Sequence, residues 1–122
     1  INMYKILVVD DAGFMRKMIQ SHLSKAGYST FIEAEDGQRA VDMYLEHNPD
    51  LVIMDITMPN VDGIESLRMI KQKNPNAKVV MCSAMGQESM VVDAIKSGAK
   101  DFIVKPFNAE RIVQTVNSIL GK

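Results

Sequence analysis

The chain has 122 residues, a usual length for one folding unit and enough to bury roughly 60–70% of its unfolded surface in one core. Fourteen Lys and Arg stand against fifteen Asp and Glu, and the basic residues are scattered, so the basic stripe of a direct nucleic-acid binder is excluded. No apolar stretch approaches the ~20 residues that cross a bilayer and no charged-then-apolar segment opens the chain, so membrane insertion is not expected and a cytoplasmic location is.

The first apolar run, Lys5 to Val9, stops on Asp10 and Asp11. Met15, Met18, Ile19, Leu23 and Ala26 then recur at helical spacing, and Gly27 supplies the left-handed residue that commonly ends a helix. Thr30 to Ala34 reads as a short second strand, after which Asp36 can cap a helix carrying Ala40, Val41, Tyr44 and Leu45, closed before Asn48 and Pro49. The third strand, Leu51 to Met54, stops on Asp55. A turn from Pro59 to Gly63 leads to a helix with Ile64, Leu67 and Ile70 that ends near Asn74 and Pro75. The fourth strand, Val79 to Cys82, stops on Ser83. Val91, Ala94 and Ile95 mark a fourth helix up to Gly98, and the last strand, Phe102 to Val104, stops on Lys105. Asn108 can cap a final helix with Ile112, Val113, Val116, Ile119 and Leu120. The lone Cys82, inside an apolar strand, reads as a small buried hydrophobe rather than a reactive thiol.

Five βα units in one domain, residues 1–122, are therefore expected. Strands that are continuously apolar want cover on both faces, which crossover helices of a parallel sheet supply. The fold class is a three-layer, doubly wound (βα)5 α/β sandwich. Right-handed crossovers leave few topologies. The flavodoxin-like order 2-1-3-4-5 is taken over from that fold family, itself a standard instance of the rule; the apolar pattern alone does not select it. It sets Asp10 and Asp11 beside Asp55 where the winding reverses, and ligands of open α/β sheets bind outside the carboxyl ends of the strands.

Three carboxylates at such a rim have few resolutions. At about 5 Å and an effective dielectric near 20, each pair repels by roughly 3 kcal/mol, enough to force protonation or demand a cation. All candidate donors are oxygens, and neither His22 nor His47 falls at a strand end, so a hard ion such as Mg²⁺ is favoured over zinc or copper. Mg²⁺ prefers one or two carboxylates together with phosphate oxygens, which points to phosphoryl chemistry. An aspartate can itself attack phosphorus, Lys105 can neutralise the phosphoryl oxygens, and Ser83 can donate a hydroxyl to them. Taken singly, the Asp pair reads equally well as a solvated turn, and Lys105 as a surface charge; the combination decides.

Val8-Val9-Asp10-Asp11, Met54-Asp55-Ile56-Thr57-Met58-Pro59, Asp62-Gly63, Cys82-Ser83-Ala84-Met85, Gly98-Ala99 and Lys105-Pro106-Phe107, at these spacings, carry a resemblance. The chain resembles the receiver domain of two-component response regulators, above all the stand-alone chemotaxis regulators of the CheY type. The resemblance implies that Asp55 is the phosphoacceptor. It implies Mg²⁺ ligation by Asp11 and Asp55, with Asp10 acting mainly through water and the Thr57 backbone carbonyl completing the set. Lys105 and Ser83 would contact the phosphoryl group, and the Lys105-Pro106 bond would be cis. Ser83 and an aromatic on the last strand, here Phe102 in place of a frequent Tyr, would form the switch, read out on helix 4, strand 5 and helix 5. The implied partners are a sensor histidine kinase of the CheA type, a flagellar motor switch protein or other phospho-dependent target, and a phosphatase. Catalysis would extend only to the chain's own phosphorylation and dephosphorylation.

Rivals fare worse on the same residues. An FMN carrier needs a donor-rich loop after the first strand, where two carboxylates would repel the phosphate. A haloacid-dehalogenase-like phosphatase needs a second carboxylate two positions after its nucleophile, and here Thr57 stands two positions after Asp55. The remaining alternative is a receiver excised from a larger regulator with a DNA-binding or enzymatic output domain. Of the methionines, Met85 and Met90 lie near the expected output face and are candidates for partner contact.

Overall fold

A computed structural model describes residues 3–121. Ten elements alternate: β1 (Lys5–Val9), α1 (Gly13–Lys25), β2 (Thr30–Ala34), α2 (Gly37–His47), β3 (Leu51–Asp55), α3 (Gly63–Lys73), β4 (Val79–Ala84), α4 (Glu88–Lys96), β5 (Asp101–Lys105) and α5 (Ala109–Leu120). All strands are parallel, in the order β2-β1-β3-β4-β5. The doubly wound α/β sandwich expected from the apolar runs is the observed fold, with the strand order taken over from the flavodoxin-like family. Strand ends differ slightly from those runs. β3 takes in Asp55, opposite Cys82, and β4 continues through Ser83 to Ala84, opposite Val104 and Lys105. Backbone pairing, indifferent to side-chain polarity, carries the ladder past the last apolar residue.

The pleat divides the core into two layers, because successive side chains of a strand point to opposite faces. Leu7, Val9, Val52, Met54, Val79 and Met81 pack with α2, α3 and α4 through residues such as Tyr44, Leu67, Ile70 and Ala94. Ile6, Val8, Leu51, Ile53, Val80, Cys82 and Ile103 pack with Ile19 and Leu23 of α1 and Ile112, Val116 and Leu120 of α5. The central strands β1 and β3 are covered on both faces, while the edge strands β2 and β5 keep half-exposed residues.

Local signals behave as their chemistry predicts. Asp36 and Asn108 accept the backbone N–H groups of Arg39 and Arg111, each at 2.8 Å, and so cap α2 and α5. Asp62 caps α3 in the same way, accepting from Glu65 N at 2.9 Å. α1 has no side-chain cap, and Gly27 follows its end at φ 101°. No helix is long and apolar enough to cross a membrane among the described residues.

Candidate functional site

Where β1, β3 and β5 end, the chain delivers Asp10, Asp11, Asp55 and Lys105 to one rim. Asp10 is buried, held by three groups at once. Its Oδ1 accepts the Ala12 N–H at 2.9 Å, its Oδ2 accepts from Lys105 Nζ at 2.8 Å, and its backbone carbonyl accepts from Arg16 Nη1 at 2.7 Å. Asp55 is 9% exposed and lies 3.4 Å from the same ammonium through Oδ2. Asp11, in contrast, is exposed. One carboxylate oxygen from each of the three aspartates lies within 4.8 Å of the others. The Lys105–Pro106 bond is cis, as the resemblance implies.

Burial pushes the Asp55 carboxyl above its ordinary value; the Lys105 charge opposes this and the Asp10 charge reinforces it. Burial alone would lower Lys105, but the hydrogen bond to Asp10 and the charges of Asp55 and Asp10 outweigh it, and its ammonium is held above the usual lysine range. Three carboxylates against one ammonium leave an excess of negative charge that a divalent cation would cancel. The donors are all oxygens, one of the three carboxylates faces solvent, and that set suits a hard cation that keeps waters. The residues present therefore fit such an ion.

Gly63 lets β3 and α3 come this close. Its N–H donates to the Ile56 carbonyl at 2.8 Å, folding the loop after Asp55 back on itself. A Cβ at Gly63 would meet the Asp55 carbonyl oxygen at 2.1 Å, so only glycine fits against the acidic strand end.

Ser83 and Phe102 lie toward α4. Met81 pairs with Phe102 and Ser83 with Val104, and both Ser83 and Phe102 line a groove of about 610 Å³ beneath α4, with Met85, Val91 and Ile95. Ser83 is 1% exposed and its hydroxyl has no hydrogen-bond partner among the described residues. Such a buried, unpaired hydroxyl costs about 1–3 kcal/mol and favours any conformer that offers it an acceptor. Met85 is 77% exposed, whereas Met90 is half-buried against the core. His22 and His47 lie on helices away from the rim. Cys82 is fully buried, and burial pushes its thiol up to about 12, in keeping with an inert hydrophobe.

Two residues of the site lie outside the pattern of strand ends. Arg16 bridges the Asp10 carbonyl and Glu33, and a helical side chain leans back toward its own N-terminus, so an arginine one turn into α1 was the available signal. Gln87 joins two loops: its Oε1 accepts the Ala84 N–H and its Nε2 donates to the Thr57 hydroxyl, both at 2.7 Å. No spacing rule announces a side chain that ties the end of its own preceding strand to a hydroxyl on another loop.

The response regulator receiver domain family matches residues 6–117. The chain belongs to that family, and it is a signalling switch of the two-component type. Within it, the chain is 58% identical over 118 residues to the chemotaxis protein CheY of Bacillus subtilis, covering 97% of this chain and 98% of that one. It is 52% identical to CheY of Thermotoga maritima, covering 94% of this chain and 96% of the relative. Among solved structures, a CheX–CheY–BeF3–Mg²⁺ complex from Borrelia burgdorferi superposes with a TM-score of 0.91 at 40% identity, over 98% of this chain and 90% of that one. These relatives are matched over nearly their whole length, so the excised-receiver alternative is not favoured.

Proposed function

We propose that Asp55 is the phosphoacceptor of this switch, that a partner histidine kinase supplies the phosphoryl group, and that residues 1–122 act as one receiver domain in the cytoplasm. The observation that carries this reading is the buried Asp55 carboxylate beside Asp10, with one lysine reaching both, at 3.4 and 2.8 Å. Asp11 and Asp55, with the Thr57 backbone carbonyl and with Asp10 through water, would hold Mg²⁺, which supplies charge neutralisation when bound.

In the transfer, an Asp55 carboxylate oxygen forms the new bond to phosphorus as the P–N bond of phosphohistidine breaks. The electron pair leaves on the imidazole nitrogen, which takes a proton from solvent. Lys105 stays protonated and offsets the charge on the phosphoryl oxygens, in a reaction governed chiefly by positioning and electrostatics. Later, water attacks phosphorus and Asp55 departs as the free carboxylate, releasing inorganic phosphate. The chain thus catalyses only its own modification.

The phosphoryl oxygens offer the unpaired Ser83 hydroxyl an acceptor. Ser83 and Phe102 share the groove under α4, so a shift of Ser83 frees space for the Phe102 ring and alters the surface of α4, β5 and α5. The phosphoryl group thereby biases a packing element with two arrangements. A ring without a hydroxyl makes this a packing switch, with no hydrogen bond from that ring. The likeness to CheY proteins supports a chemotaxis role, with a CheA-type kinase, a flagellar motor switch target and a phosphatase as partners; the Borrelia relative in complex with CheX is in keeping with a switch that acts through protein partners.

The test is direct. Incubation with Mg²⁺ and acetyl phosphate is expected to add one hydroxylamine-labile phosphoryl group by intact mass, absent in Asp55→Asn. No adduct on the wild type, or an undiminished one on the variant, overturns the assignment.

A further inference from the structure

The ladder between β1 and β2 ends at Val9 and Ala34, and the Asp10 N–H makes its last bond, to the Ala34 carbonyl at 3.2 Å. Beyond this point the pairing stops, and among the described residues no amide of β2 donates to the Asp10 carbonyl. Arg16 takes that place. Its Nη1 donates to the Asp10 carbonyl at 2.7 Å while its Nε donates to Glu33 Oε1 at 2.7 Å. The guanidinium side chain is 19% exposed, and the other Glu33 oxygen accepts from Lys17 Nζ at 2.8 Å. Hydrogen bonds from Lys17 and then Arg16 hold the Glu33 carboxyl at about 2, so the brace stays charged through the neutral range.

The Asp10–Asp11 peptide is the unit being held. Its orientation decides where the exposed Asp11 carboxylate points, since that carboxylate makes no hydrogen bond or ion pair among the described residues. We propose that Arg16 is a positioning residue of the acidic site: braced on Glu33, its planar fork fixes the Asp10–Asp11 peptide and so sets Asp11 for the divalent cation. The inference rests on the reading of Asp10, Asp11 and Asp55 as a Mg²⁺ site.

Charge and geometry predict opposite signs here. Arg16 is a cation near a cation site, so on charge alone its removal tightens Mg²⁺ binding. Positioning predicts weaker binding, by about tenfold, the lower end of what outer partners of metal ligands contribute. A lysine keeps the charge but has one nitrogen and cannot form the two-pronged bridge.

The experiment is a MgCl2 titration of the full chain, followed by calorimetry and by amide NMR shifts, with thermal unfolding in parallel. Arg16→Ala and Arg16→Lys are both expected to raise the Mg²⁺ Kd about tenfold, while Lys17→Ala, which touches Glu33 but not Asp10, matches the wild type. Equal or tighter binding in the folded Arg16 variants overturns the proposal. Should Arg16→Ala not fold, Glu33→Gln loosens the brace and is expected to weaken Mg²⁺ binding in the same direction; unchanged affinity there also overturns it. Asp11→Asn separates the brace from the cation site it serves. Weaker binding in Asp11→Asn with unaltered Arg16 variants removes Arg16 alone, whereas a wild type that does not bind Mg²⁺ removes the cation site and this inference with it.

Discussion

Burial favours the protonated form of Asp55, Lys105 favours the charged one, Asp10 opposes charge again, and the balance leaves the carboxyl above its ordinary value. A raised folded-state value means that the native protein binds this proton more tightly than the unfolded chain does. The stability it contributes is therefore fully present below the unfolded value of about 3.9 and is lost as pH rises through the raised native value. At neutral pH without divalent cations, Asp55→Asn is expected to melt several degrees above the wild type. Added Mg²⁺ is expected to raise the wild type more than the variant. A wild type that is the more stable of the two in chelator would contradict this account. Asp10, Asp55 and Lys105 were legible in the sequence because each is a charge at the end of an apolar run, where burial and polarity conflict. Arg16 was not, since its significance lies in a backbone carbonyl six residues back and in Glu33 on another strand.

The elements themselves were legible because their signals are local: continuous apolar runs for strands, helical spacing for helices, and Asp36 and Asn108 as caps. Their ends were less so, as the β4 ladder passes through polar Ser83 without interruption. The β3–α3 junction shows how closely element and site are joined. At Gly63 an added methyl would overlap the Asp55 carbonyl oxygen, backbone that cannot yield as a side-chain tip can. Gly63→Ala is expected to destabilise the fold by about 1–3 kcal/mol, the usual range for overpacking. It should also slow adduct formation from acetyl phosphate, because relief of the clash displaces the strand end that carries Asp55. Urea unfolding and the time course of intact mass test the two effects; a variant like the wild type in both would show that the junction yields elsewhere.

At the scale of the whole molecule, the helices of the described residues are unequally anchored. α5 buries Ile112, Thr115, Val116 and Leu120, whereas α4 buries only Ala94 and stands over the groove that holds Ser83 and Phe102. Local opening follows such differences, so amide hydrogens of α4 are expected to exchange well ahead of those of α5, and comparable protection in the two would contradict the reading of α4 as the yielding element. The two-sided core also gives the protein a native chemical clock. Cys82 is the chain's single thiol, and it sits fully buried in β4, between Asp55 of β3 and Ile103 of β5. An alkylating reagent needs both access and thiolate, and the folded sheet withholds both. Movements of α4 that leave β4 in the sheet keep this sulfur covered. Its labelling rate therefore counts partings of the sheet itself, and sets global unfolding apart from signalling motion with no label engineered into the chain.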